Sequence, residues 1–138
     1  MVASKMGHLQ LNIDPANVGF YKELFDFLGW TVLAQDEAFV GVGDANGASL
    51  WFVPALAPGG YDYDSYGVNH VAISTAAQKD VDATAAYLRE KGVAALFDTP
   101  RHRPDFSGDG ADTYYQVMFE SPDRLLFEVV YTGPRDAD

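Results

Sequence analysis

Gly7-His8-Leu9-Gln10-Leu11-Asn12-Ile13 and, further along, Asn69-His70-Val71-Ala72-Ile73-Ser74 are the two stretches whose reading decides the fold. In the first, Leu9, Leu11 and Ile13 alternate with His8, Gln10 and Asn12, the period of two that marks a half-buried strand. In the second, Val71 and Ile73 alternate with His70, Ala72 and Ser74. Both histidines therefore fall on the face away from the larger aliphatic side chains.

Working outward, each strand leads to a helical pattern. Phe20, Leu24, Phe27 and Leu28 recur at helical spacing over 18–28, and Val81, Ala85 and Leu88 do so over about 79–91. Gly29 and Gly92 follow as C-terminal caps, since glycine enters the left-handed region without steric penalty. Gly29 lies 21 residues after His8 and Gly92 lies 22 after His70. Strand-like runs come next: 30–33, 39–42 and 49–53 in the first half, and 93–97, 114–119 and 125–131 in the second. The last two strands of each half are joined by turn formers, Asp44-Ala45-Asn46-Gly47 and Ser121-Pro122-Asp123-Arg124. The chain thus reads as an internal repeat of two βαβββ modules, an α+β protein with module 1 at about 5–57 and module 2 at about 67–133 of a single 1–138 domain. Residues 58–67 read as the linker, with Tyr61, Tyr63 and Tyr66 covering an edge or a subunit contact. Residues 99–112 read as a polar loop able to cover a site.

Composition narrows the chemistry. There is no cysteine, which removes disulfides, thiolate nucleophiles and Cys-ligated metals. The net charge of −11 disfavours nucleic acid and anionic membranes; it serves solubility or attracts cations. No apolar run is long enough for a membrane span, and an alternating strand pattern follows Lys5 directly, so no signal peptide is expected and the expected location is cytoplasmic.

His8 and His70 occupy the same repeat position. Glu128 alternates with Phe127 and Val129 on the last strand, so it projects away from them. Two imidazoles and a carboxylate form a facial set that leaves positions open on Fe(II), Mn(II), Zn(II), Co(II) or Ni(II). Three scattered ligands are also what chance supplies, and the shared repeat position is what favours the metal reading.

These segments, with Phe20-Tyr21-Lys22-Glu23-Leu24, Phe27-Leu28-Gly29-Trp30 and the closing run Phe119-Glu120-Ser121-Pro122-Asp123-Arg124-Leu125-Leu126-Phe127-Glu128, resemble the vicinal-oxygen-chelate superfamily (glyoxalase, bleomycin resistance protein, extradiol dioxygenase) across nearly the whole chain. The closing run is similar to its F-x-D-P-D-G-x-x-x-E signature, with Ser121 for Asp and Arg124 for Gly. The resemblance implies paired modules forming a curved mixed sheet around a cavity, one divalent metal on His8, His70 and Glu128, a small-molecule substrate and a homodimer. It implies either metal-dependent lyase, isomerase or dioxygenase chemistry or, alternatively, non-catalytic binding of a drug or metabolite. Aligning the turns sets Trp51 opposite Glu128, where glyoxalase-type members carry a fourth, carboxylate ligand, so the four-ligand site is incomplete.

Further candidates surround that set. Tyr114, Tyr115 and His102 are candidates for acid–base help beside Glu128, against packing or solvation as the plainer readings. Arg101 and Arg103 are candidates for a substrate carboxylate, which a guanidinium binds in bidentate fashion. Trp51 is a candidate aromatic wall of the cavity or a packing residue.

Overall fold

The computed structural model describes residues 1–108 and 110–137, which divide into two compact units, Met1–Gly60 and Tyr61–Asp138. In the first unit β1 (His8–Ile13) leads through a 3-10 turn (Pro15–Asn17) to α1 (Val18–Phe27), then β2 (Thr31–Gln35), β3 (Val40–Gly43) and β4 (Ser49–Pro54). The second holds β5 (Val71–Ser74), α2 (Gln78–Glu90), β6 (Leu96–His102), a 3-10 turn (Pro104–Phe106), β7 (Asp112–Glu120) and β8 (Leu126–Pro134). Each unit forms its own four-stranded mixed sheet, ordered β1-β4-β3-β2 in one and β5-β8-β7-β6 in the other. In both, the first strand runs parallel to the last and the other pairs are antiparallel. The expected α+β architecture of two βαβββ modules is therefore the one observed.

The repeat extends to backbone detail. Gly29 and Gly92 have φ of 81° and 74°. Around them the same pair of hydrogen bonds closes each helix: Gly29 N to Asp26 O with Trp30 N to Phe25 O, and Gly92 N to Arg89 O with Val93 N to Leu88 O. This is the Schellman arrangement, which satisfies carbonyls orphaned at a helix end. The last hairpins agree as well. Asp44 Oδ1 accepts from the backbone N–H of Asn46 and Ala48, and Ser121 Oγ accepts from that of Asp123 and Leu125. Three residues into each turn the backbone is left-handed, at Gly47 (φ 91°) and at Arg124 (φ 61°). Ser121 thus performs the turn-capping task of an aspartate, while Arg124 holds a conformation that suits glycine.

Strand parity sets the core. In the first unit the face carrying Leu50 and Phe52 meets Tyr21, Leu24 and Phe25 of α1, with Tyr21 and Phe52 stacked at 4.3 Å. In the second, Val117, Phe119, Phe127 and Val129 are buried with Val81 and Leu88 of α2. Each such side chain contributes about 1.5 to 3 kcal/mol on burial.

Two expectations are corrected. The strand expected at 93–97 begins later and runs into the expected polar loop, as β6; Asp109 of that loop lies outside the described residues. The polar Asp98 and the N–H-lacking Pro100 hid it, because their segment bulges: pairing with β7 breaks between Leu96 and Arg101, and Phe97 and Asp98 both have φ of 58°. Of the tyrosine-rich linker, Tyr63 is not an edge cover but is buried against Met118 and Leu126, its hydroxyl donating to Glu120 Oε1. Among the described residues no helix is long and apolar enough to cross a membrane.

Candidate functional site

Register decides which side chains share the face of the second sheet that α2 leaves uncovered. Glu128 pairs with Ala72 on one side and Met118 on the other, so Ala72, Met118 and, two residues along β7, Gln116 and Tyr114 lie on its face. His70 stands two residues before Ala72 and returns to that same face. There its Nε2 lies 3.3 Å from Glu128 Oε2, the glutamate being 2% exposed.

A hydrogen-bond relay fixes the imidazole. Asn69 Nδ2 donates to the carbonyl of Tyr63 at 2.9 Å, which turns Asn69 Oδ1 toward His70 Nδ1, 2.8 Å away. A carbonyl oxygen only accepts, so Nδ1 carries a proton, and Nε2 is the ring atom turned to Glu128. On the far side the Tyr114 hydroxyl donates to Glu128 Oε1. Burial, and then the bond to Glu128, push the Tyr114 phenol far above its ordinary value, so it stays a neutral donor.

A lone pair facing a buried carboxylate oxygen repels it unless positive charge lies between them, as a second proton on His70 or as a cation. The spacing fits a cation. Two ligands about 2.1 Å from one metal, at angles between octahedral and tetrahedral, stand roughly 3.0 to 3.4 Å apart. Asn69 and Tyr114 supply the outer hydrogen bonds that orient such ligands. Among the described residues, however, no three histidine or carboxylate side chains are grouped to hold a metal ion.

The other sequence candidates separate. Tyr115 belongs to the opposite face of β7: its hydroxyl donates to Asp82 Oδ1 of α2 at 2.6 Å, and burial followed by that bond pushes its phenol up to about 12. His102, its partner across β6, packs on the Tyr115 ring at 4.4 Å and bonds Thr113 Oγ1. Neither meets Glu128, because the period of two that brings Tyr114 to the carboxylate turns its neighbour away. Arg101 is exposed, whereas Arg103 lines a cavity of about 240 Å³ together with His70 and Glu128. His8 and Trp51 belong to the first unit. Trp51 pairs with Gln10, two residues past His8, as Glu128 pairs with Ala72, two past His70, so the two positions are equivalent. Trp51 lies across Gly41 and donates to Ser49 Oγ.

Sequence reasoning missed Tyr63, Asn69, Phe97 and Gln116, all of which line the cavity. Asn69 carried a signal, standing beside a candidate ligand. Phe97 carried none, since its backbone conformation is one that a bulky residue seldom adopts.

No protein-family model and no curated protein matches the chain. Solved structures do. A candidate glyoxalase from Bacillus halodurans superposes with a TM-score of 0.74 at 23% identity, covering 91% of this chain and 94% of that one. A glyoxalase/bleomycin resistance protein from Albidiferax ferrireducens T118 gives 0.72 at 15% identity, covering 93% and 99%. TnmS3, an antibiotic binding protein from Streptomyces sp. CB03234, gives 0.65 at 23% identity, covering 96% and 99%. At such identities the likeness is one of fold, and it is the fold that the sequence resemblance implied.

Proposed function

We propose that this chain is a single two-module domain of the vicinal-oxygen-chelate type that binds a divalent cation through His70 and Glu128 and acts on a small molecule presenting neighbouring oxygens. The observation that carries this reading is His70 Nε2 set 3.3 Å from a buried carboxylate oxygen, with the other ring nitrogen committed to Asn69. His8 is proposed as the third ligand on the sequence repeat alone.

A bound Fe(II), Mn(II), Zn(II), Co(II) or Ni(II) ion supplies Lewis acidity toward substrate oxygens, as lyase, isomerase or dioxygenase chemistry needs. The protein's own groups do the rest. Glu128 presents negative charge, Asn69 keeps the Nδ1 proton in place, and Tyr114 holds its proton at Oη against Glu128 Oε1. Gln116 and Met118, both buried, line the same cavity.

Metal analysis of protein purified without added metal tests the reading. The expected result is near-stoichiometric metal, lost in His70→Ala and Glu128→Ala and weakened in His8→Ala. Metal-free wild-type protein that takes up no divalent cation overturns it. A second reading, sequestration of a small molecule without turnover, is favoured by the absence of a three-ligand group among the described residues and by the shared fold with an antibiotic binding protein. Ligand binding that persists in metal-free protein, with no metal uptake, selects it.

A further inference from the structure

The cavity beside His70 and Glu128 has an asymmetric wall. Among the described residues Arg103 is the only lysine or arginine lining it, alongside the carboxylates Asp64 and Glu128, in a protein with a net charge of −11. The guanidinium lies over the Phe106 ring, 4.5 Å from its centroid, which fixes the plane of the cation by cation–π stacking. Its one carboxylate neighbour among the described residues is the exposed Asp105, 3.8 Å from Nε and too far for a hydrogen bond. Glu128, the buried carboxylate of the same cavity, accepts from Tyr114 and faces His70 Nε2.

Two aromatic rings accompany the arginine. Phe97 and Phe106 are 53% and 54% exposed, a costly placement for large apolar side chains, and both line the cavity. Phe97 also stands in the left-handed region together with its neighbour Asp98, strain that tends to gather at ligand-binding positions. Gln116, 3% exposed, brings a carboxamide to the cavity lining. The volume, about 240 Å³, lies just below the range usual for drug-sized ligands and suits a metabolite-sized one.

We propose that this cavity takes a small organic acid with a flat apolar or aromatic body: Arg103 receives the carboxylate, Phe97 and Phe106 receive the body, and Gln116 bonds a further polar group. The proposal rests on the reading that the cavity beside His70 and Glu128 is the ligand site, and it names the ligand's class. Guanidinium matches a carboxylate with two parallel hydrogen bonds, and a neutral amide of the same shape forfeits the charge assistance. Arg103 thus selects acids over their neutral isosteres, although the surface as a whole is acidic.

Calorimetric titration of the full chain, in chelator, with 3-phenylpropionate and with 3-phenylpropionamide tests this. The acid is expected to bind at least about tenfold more tightly than the amide, the size of one charge-assisted hydrogen bond. In Arg103→Gln that preference should shrink to within about twofold, with amide binding retained, while Arg103→Lys keeps part of it. Phe97→Ala and Phe106→Ala should weaken acid and amide alike. Equal affinity for the two probes, binding of neither, or an undiminished preference in Arg103→Gln overturns the proposal. Chelator makes the outcome independent of metal: Arg103-dependent selection without metal uptake sinks the metal reading alone, and metal uptake without selection sinks this proposal alone.

Discussion

Replacing Glu128 by glutamine should leave the metal-free protein as stable as the wild type or more so, although it neutralises a buried, hydrogen-bonded carboxylate. With Nδ1–H committed to Asn69, a neutral His70 offers Glu128 an acceptor, and the carboxylate oxygen facing it is an acceptor too. In Glu128→Gln the amide oxygen still accepts from Tyr114, and the amide nitrogen donates to His70 Nε2. A repulsive contact becomes a neutral hydrogen bond worth about 0.5 to 1.5 kcal/mol, and a buried ion is removed besides. The expected change lies between zero and about 2 kcal/mol in favour of the variant, or roughly 3 to 5 °C in Tm per kcal/mol for a chain of this size. Glu128→Leu, which strands the Tyr114 phenol and the imidazole, should instead lose about 1 to 3 kcal/mol. Urea unfolding at pH 8 in chelator measures both. Adding a divalent cation at 100 times its Kd should then stabilise the wild type by about 2.7 kcal/mol and leave Glu128→Gln unmoved. A loss of more than about 1 kcal/mol in Glu128→Gln under chelator would refute the reasoning, since it would mean that His70 and Glu128 form an ion pair with both ring nitrogens protonated.

Three further outcomes follow from local geometry. A Cβ at position 41 would stand 2.4 Å from Trp51 ring atoms, so Gly41→Ala should cost about 1 to 3 kcal/mol and change the tryptophan fluorescence; an unaltered spectrum and Tm would refute the close approach. Arg124 has φ of 61°, so Arg124→Gly should be more stable than Arg124→Ala by about 1 kcal/mol, reversing the usual order of the two residues, as chemical denaturation of the pair would show. The Tyr115 phenol is pushed up to about 12 from 10.0, so its contribution to stability is complete below pH 10 and is lost as pH rises through 12; Tyr115→Phe should flatten the fall in stability across that window, and an unchanged slope would count against the Asp82 bond.

Much of the site follows from local rules. The alternation at 8–13 and 70–74 placed each histidine on its strand's polar face, and the same parity set Glu128 apart from Phe127 and Val129. The turn alignment that matched Trp51 to Glu128 agrees with the observed register. Parity could not choose between Tyr114 and Tyr115, because the phase of β7 against β8 is a property of the pairing and not of either strand. Nor could it find the relay from Tyr63 through Asn69, which depends on where the linker lies after Tyr63 is buried against Met118 and Leu126.

The amino-acid order alone determined the two βαβββ modules, their glycine-closed helices and the shared positions of His8 and His70, since these follow from side-chain period and from the few residues that tolerate left-handed backbone. Tertiary structure alone decided the bulge in β6, the approach of Arg103 and Phe97 to one cavity, and the setting of His70 between Asn69 and Glu128. Those features depend on contacts between segments distant in the chain, such as Tyr63 with Glu120 and Arg103 N with Tyr114 O, whose free energy exists only after the strands have chosen their register.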